Sequence, residues 1–305
     1  MLRTQNSHPS EEFKPKQCIP ITVAVFKELV GTTTQKVASR IIEELAPFPS
    51  GSVIHDNACG HGVVTSSIVD SLPKSISDSS RGEEEKEGDK TTIHATDLSP
   101  LMVTSTKSTA EMQSWSNYAN LHISEMPMQS LTFPPNTFNF SFTNFGIFCL
   151  SDSLALTAAQ HVHRTLKPGG KAILTLWSQK TPHHDVLMRT HQKTRNTDTV
   201  LPSRQDRWHG ETFLVDLLVE AGFDRGKVEV REVDVVVDVE DLKRRCEISW
   251  SLVGAPEEGW VREDEERWEE ALGLLEEGMR GMDSWQDDDQ GGHYVVGVNV
   301  FVAKK

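Results

Sequence analysis

Between Ile21 and Leu45 the apolar residues Val25, Leu29, Val37, Ile41 and Leu45 recur at helical spacing. Gly31-Thr32-Thr33-Thr34 interrupts the pattern, so two helical pieces joined by a loop are expected. Pro47 and Pro49 end the helical character, and Ser52-Val53-Ile54-His55-Asp56 reads as a short strand entering the glycine turn Ala58-Cys59-Gly60-His61-Gly62. A helix is expected from Val63 to about Leu72, then a strand from Thr91 to Asp97. Ser99-Pro100 supplies a capping serine with proline in the first turn, the start signal of a further helix. Strands are expected at Asn120–Glu125 and Phe138–Asn144, a helix at Asp152–Leu166 closed by Lys167-Pro168-Gly169-Gly170, and a strand at Lys171–Trp177. Repeated strand and helix alternation implies an α/β fold, a mostly parallel sheet with helices on both faces. Beyond it lie a helix at Glu211–Ala221, a β-rich run at Val228–Val237 and a last strand at His293–Ala303.

Two segments depart from this pattern. Residues 73–90 are serine-rich, then charged, with one isoleucine, a composition that cannot bury enough apolar area to offset its ordering entropy. They are expected to form a disordered insertion. Residues 257–289 carry fourteen acidic side chains, yet Trp260, Trp268, Leu272 and Leu275 keep to one helix face, which predicts an acidic helical cap at about 240–290. Residues 1–20 read as a polar disordered tail, and 21–305 as a single domain.

Charge narrows the partners. Lys plus Arg number 31 against 45 Asp plus Glu, a formal net charge of −14, which repels phosphate backbones and anionic lipid. No nucleic acid and no membrane partner is therefore expected. The four cysteines at 18, 59, 149 and 246 form no C-x-x-C pair, which speaks against a structural zinc site and a disulfide framework. No metal is expected. Cys59 and Cys149 read as small core residues. With neither a signal peptide nor a long apolar run in view, a cytoplasmic location is expected.

The glycine turn lies between a strand and a helix, where small residues let a ligand approach the backbone and the helix N-terminus offers free N–H groups. Asp97 ends the next strand, where a carboxylate can accept both hydroxyls of a ribose. It lies thirty-five positions beyond Gly62, or seventeen once residues 73–90 are set aside, near the ~20 usual for such a pair. Each feature also has a plain structural reading: a tight strand-to-helix turn, and an aspartate capping the helix at Ser99.

In these residues the chain resembles the class I S-adenosylmethionine-dependent methyltransferases. Val53 to Gly62 looks like the family's first motif and Asp97-Leu98-Ser99-Pro100-Leu101-Met102 like its ribose motif. Phe133-Pro134-Pro135-Asn136-Thr137-Phe138-Asn139 matches the approach to the fourth strand, and Leu166-Lys167-Pro168-Gly169-Gly170 the turn before the fifth. Asp56 to Val64, with the strand ending at Trp177, is similar to the fungal secondary-metabolite branch, which includes dithiol S-methyltransferases. The resemblance implies a Rossmann-like, doubly wound sheet of seven strands with an antiparallel last strand. It also implies S-adenosyl-L-methionine as cofactor and a small-molecule methyl acceptor.

By the same resemblance Asp56 and Gly60 would face the methionine part, Asp97 the ribose, and Leu98 and Met102 the adenine face, with Ala58 and Gly62 also among the cofactor-binding residues. Asn144 and Phe145 would floor the reactive methyl, with Thr32 to Thr34 near the cofactor's carboxylate. Many relatives carry Asp at the position of Pro127, so the backbone of Met128, or Glu125, is expected to recognise adenine instead.

His183 and His184 follow the fifth strand and could supply a general base, with His184 the catalytic candidate; a solvated polar loop is the alternative. His209 and the pair His161 and His163, expected on a helix surface, are weaker candidates. Phe145, Phe148, Trp177, Trp250 and Trp260 could wall an aromatic pocket or simply pack the core. A nicotinamide-dependent oxidoreductase would share the glycine turn, but Thr65 stands where the third glycine of its fingerprint belongs. A methyltransferase-fold protein acting as a non-catalytic partner is the other alternative.

Overall fold

The computed structural model describes residues 13–73, 90–202, 206–289 and 291–305. Nearly all of the expected insertion at 73–90, and residues 1–12 of the expected tail, lie outside the described residues. The strands are β1 (Val53–Asn57), β2 (Thr92–Asp97), β3 (Asn120–Glu125), β4 (Phe138–Asn144), β5 (Leu166–Trp177), β6 (Val228–Val239) and β7 (Gly292–Lys304). The helices are α1 (Val23–Val30), α2 (Thr33–Leu45), α3 (Val63–Ser71), α4 (Pro100–Met112), α5 (Asp152–Thr165), α6 (Pro182–Arg195), α7 (Asp206–His209), α8 (Glu211–Glu220), α9 (Leu242–Val253), α10 (Arg262–Glu266) and α11 (Trp268–Arg280).

The seven strands form one sheet in the order β3-β2-β1-β4-β5-β7-β6. β1 pairs in parallel with β2 and β4, β2 with β3, and β4 with β5. β7 runs antiparallel to β5: Gly169 N donates to Lys305 O at 3.0 Å and Ser178 N to Gly297 O at 2.9 Å, so partner numbers fall as the numbers along β5 rise. The chain proceeds from β1 outward to β2 and β3, then returns to start β4 on the other side of β1. Right-handed crossovers place α3 and α4 on one face and α5 on the other. The strand order thus reverses between β1 and β4, and the crevice at their carboxyl ends is where open parallel sheets bind ligands.

Burial explains the strand sequences. β1 is central, so Ile54, His55, Asp56 and Asn57 are all buried and no alternation is visible. β6, at the sheet's end, alternates buried Val233, Val235, Val237 and Val239 with exposed residues. β5 begins at Leu166, five residues earlier than its apolar run suggests. The Pro168-Gly169-Gly170 segment is absorbed as an irregularity in the pairing between Phe138 and Phe140, where Gly169 takes φ +81°.

The described residues pack as two compact units. One is drawn from Thr34–Leu176, Gly210–Val233 and Val298–Lys305; the other from residues up to Thr33, Trp177–His209 and Asp234–Gly297. In the second unit, residues 16–19 of the expected tail are tied down. Lys16 N donates to Glu265 Oε2 at 2.9 Å, Ile19 N donates to Ser251 Oγ at 3.1 Å, and Cys18 is buried. Helices α9, α10 and α11 occupy the stretch expected as an acidic helical cap.

A polar seam crosses the first unit beneath β1. His55, His94 and His122 occupy aligned positions on three adjacent strands. The rings of His94 and His122 stack at 4.6 Å, and His55 stacks on Phe138 at 4.7 Å. His55 is wholly buried, with Nε2 2.9 Å from Thr96 Oγ1 and Nδ1 3.4 Å from Ser141 Oγ. Burial, assisted by His94, pushes its pKa down to about 3, and burial with His122 pushes His94 down to about 4.

The unfolded chain binds a proton on each imidazole near pH 6.5, whereas the folded chain refuses it until far lower pH. Stability is therefore fully present above pH ~6.5 and falls as the pH drops towards 3. At pH 5 the His55 contribution to this loss is about 2 kcal/mol. Denaturant melts at pH 7 and pH 5 of the parent and of His55→Gln are expected to show a shallower acid loss in the variant. Parallel pH profiles would contradict the assignment.

Candidate functional site

β1 ends at Asn57, and the chain turns into α3 through Ala58, Gly60 and Gly62, all with left-handed φ of +58°, +55° and +91°. A side chain on Gly62 would strike Thr106, its Cβ only 2.9 Å from Thr106 Cγ2, so glycine is required there by space as well as by φ. Gly60 differs: apart from its flanking residues, nothing lies within 4 Å of where its Cβ would be, so its backbone borders open space.

Asp97 binds this turn to the end of β2. Its Oδ2 accepts from Gly60 N at 2.9 Å and its Oδ1 from Ser99 N at 2.8 Å. One strand residue earlier, Thr96 O accepts from Cys59 N at 2.9 Å. The contact with Ser99 is an Asx turn just ahead of α4, whose N-cap is Ser99 with no side-chain capping bond, so Asp97 does not cap the helix. The contact with Gly60 ties it to the glycine turn. A carboxylate offers about four acceptor sites, so the half-buried group keeps capacity for further donors such as a pair of ribose hydroxyls.

Asp56 lies almost wholly inside, and its Oδ2 accepts from the backbone N (3.0 Å) and hydroxyl (2.6 Å) of Thr65. It thereby holds the first turn of α3, a role that the spacing of Thr65 in the sequence does not reveal. Its other oxygen, Oδ1, is buried with no hydrogen-bond partner among the described residues. Burial raises the Asp56 pKa to about 7, against the two bonds from Thr65, which lower it.

At the end of β4, Asn144 is held at both polar atoms: Nδ2 donates to Thr34 O at 3.1 Å and Oδ1 accepts from Thr175 at 2.7 Å. Phe145, at φ +53°, donates its N–H to Thr175 Oγ1 at 3.0 Å. Gly146 closes the crevice, since a Cβ there would lie 3.0 Å from Ala58 Cβ and 3.2 Å from Met128 Cε. Ala58, Met128, Asn144 and Phe145 are thus gathered at the reversal point. Of the three threonines, Thr34 joins them, with a buried hydroxyl that has no partner among the described residues, whereas Thr32 donates to Asp238.

Leu98 is 55% exposed beside Asp97, and Met102 is half-buried on the first turn of α4. Pro127 precedes a short 3-10 turn at Met128–Ser130 in which the Met128 side chain is buried. Glu125 is exposed and pairs in register with Asp97. Cys59 is buried as expected, but Cys149 is exposed in the turn after β4 and is not a core residue.

The histidines of the second unit lie on helices and not in a polar loop. His183 and His184 begin α6, with ring centroids 4.3 Å apart, and His209 stacks 5.5 Å from His184. His183 also packs against Trp177 at 6.2 Å and Tyr294 at 5.5 Å, its Nδ1 buried without a hydrogen-bond partner among the described residues. Burial, with His184, Arg245 and His209 adding to it, holds the His183 pKa well below the usual imidazole value. Trp250 and Trp260 do not wall an open pocket: the guanidinium of Arg195 covers both, 4.9 and 5.3 Å from their ring centres, while pairing with Asp264 at 2.7 Å. In the first unit His161 and His163 are half-buried on α5, with the His163 ring against Phe223 at 4.8 Å.

These features suit a nucleoside carrying an amino-acid arm. Asp97 offers carboxylate oxygens for ribose, Gly60 an uncovered backbone, and Asp56 Oδ1 a buried acceptor awaiting a donor.

Comparison with known proteins agrees. Residues 83–170 match the family model described as a methyltransferase domain. No curated protein sequence matches the chain. Among solved structures it is similar to the YcgJ protein of Bacillus subtilis, with TM-score 0.55 and 12% identity over 88% of this chain and 98% of that one. It is also similar to phosphoethanolamine N-methyltransferase 2 of Haemonchus contortus in complex with S-adenosyl-L-methionine, with TM-score 0.51 and 17% identity over 93% of this chain and 56% of that one. The [4+2]-cyclase SpnF shares the fold at TM-score 0.50 and 15% identity, over 89% and 81% of the two chains. At these identities the structural likenesses speak for the fold alone, and the family match is to a methyltransferase domain over residues 83–170. The chain thus has the fold of the methyltransferase structures it is similar to and carries a methyltransferase-domain match over part of its length.

Proposed function

We propose that the chain, acting as one catalytic domain over 21–305, methylates a sulfur, oxygen or nitrogen atom of a small molecule, in the manner of the fungal secondary-metabolite enzymes it resembles. The observation that supports the cofactor half of this reading is the tie between Asp97 and Gly60, which sets a carboxylate and an uncovered backbone side by side. The net charge of −14 favours a small acceptor over a nucleic acid or a lipid surface. A cytoplasmic site of action goes with this reading, and among the described residues no helix is long and apolar enough to cross a membrane.

Asp97 would hold the ribose, Asp56 and Gly60 the methionine part with Ala58 and Gly62 shaping the turn that binds the cofactor, Leu98, Met102 and Met128 the adenine, and Asn144 with Phe145 the floor below the methyl group. Bound there, the cofactor supplies a methyl group already activated by its sulfonium. The protein's task is then to align the acceptor and exclude water, for an in-line displacement at near-attack distance. A base is needed only where the acceptor carries a proton that must leave. His184 is the proposed proton acceptor. His183, neutral and weakly basic by burial, is the poorer candidate. A thiol with pKa ~8.5 needs little such help near neutrality, and a phenol near 10 needs more.

Asp97→Ala is expected to weaken S-adenosylhomocysteine binding by ~1.5–3 kcal/mol through loss of charge-assisted hydrogen bonds to ribose, read by calorimetry. Unchanged affinity would sink the ribose assignment. Gly60→Val should be worse, because its side chain would enter the space that the backbone leaves open. For His184→Ala, turnover against a panel of thiols and phenols should hold for thiols and drop ~10²–10⁴-fold for phenols, with cofactor affinity intact. Equal turnover on phenols would leave alignment and desolvation as the whole mechanism.

A further inference from the structure

α4 carries three threonines whose hydroxyl bonds are defined. Thr104 and Thr109 donate in the ordinary helical way, to the carbonyls of Pro100 (2.8 Å) and Ser105 (3.0 Å) four residues back. Thr106 does not. Its hydroxyl leaves the helix and donates to Gly60 O at 2.9 Å, with Cys59 Sγ 4.0 Å away. Its methyl lies beneath Gly62, 2.9 Å from the position a Cβ would take. The side chain is wholly buried.

Gly60 is therefore held at both ends. Its N–H is fixed by Asp97 and its carbonyl by Thr106, while beyond its flanking residues nothing lies within 4 Å of the Cβ position. A left-handed glycine in open space would otherwise be among the freest residues of the chain. Two hydrogen bonds remove that freedom without covering the surface that a ligand must reach. Cofactor binding then need not order the turn, a cost that would subtract from affinity.

We propose that Thr106 is a positioning residue for cofactor binding, acting through the Gly60 carbonyl to keep the turn and Asp97 in one arrangement. The proposal rests on the glycine turn being the cofactor site. Thr106→Val preserves the β-branched shape but sets a methyl against the carbonyl oxygen, so the Gly60–His61 peptide must rotate, and the shift at Gly60 loosens the bond of its N–H to Asp97. Thr106→Ser keeps the hydroxyl and loses the methyl.

Calorimetry with S-adenosylhomocysteine is expected to show the dissociation constant rising ~5–20-fold for Thr106→Val and staying within about twofold of the parent for Thr106→Ser. Both variants should melt at lower temperature, so affinity and stability part company. Because Thr106 and Asp97 hold the two peptides that flank one residue, Gly60, Thr106→Val should cost less than about twofold in an Asp97→Ala background. Equal affinity losses in the valine and serine variants, or unchanged affinity in both, would overturn the role of Thr106 while leaving the cofactor site intact. Absence of binding by the parent would instead overturn the reading of the site itself, and the proposal with it.

Discussion

The Asp97 carboxylate is the joint on which the cofactor end of this protein depends. Parallel strands β1 and β2 align their carboxyl ends, but alignment alone leaves the loops above them free. Asp97 removes that freedom by accepting from Gly60 on one side and Ser99 on the other, so that the turn after β1 and the start of α4 become one object. Two of its acceptor sites serve the fold and the rest stay available for a ligand. Structural and functional readings of this aspartate are consequently not rivals, since the bonds that tie the two loops together also aim the group.

Below that joint the chain spends polar residues where most sheets use aliphatic ones. His55, Thr96 and Ser141 make a hydrogen-bonded seam within the first unit, and Asn57 continues it to Thr143. Buried polar groups are tolerable when they are satisfied, and they then fix register more sharply than interchangeable aliphatic contacts do. Asn57 immediately precedes the turn, so this rigidity reaches the site. The oxygens left over, Asp56 Oδ1 and Asn57 Oδ1, lie at the carboxyl end of β1, where a ligand or water can meet them.

The strands of the parallel half were legible because their ends carry strong signals. Asn120–Glu125 and Phe138–Asn144 match residue for residue, and the glycine turn marks the end of β1 without ambiguity. α6 was not legible. Its buried face includes Thr190, His191 and Thr194, which look polar in the sequence and are buried in the fold. Arg195, one residue from that face, is drawn inward by Asp264 and two tryptophans, contacts that no periodicity could reveal. The same holds in the site: Gly60, Gly62 and Asp97 stand out by residue type and spacing, whereas Thr65, Thr106 and Thr175 act through hydroxyls whose targets lie on other elements. Threonine in a helix or strand is ordinary until its partner is known.

A shared fold does not fix a reaction, as the likeness to a [4+2]-cyclase makes plain, so the proposed activity depends on the site's ability to hold its cofactor. The most direct test is a calorimetric titration of the full chain with S-adenosylhomocysteine, run beside one with NAD. Saturable binding of S-adenosylhomocysteine at one site per chain, with no heat from NAD, is the result predicted. Binding of NAD without S-adenosylhomocysteine would contradict it.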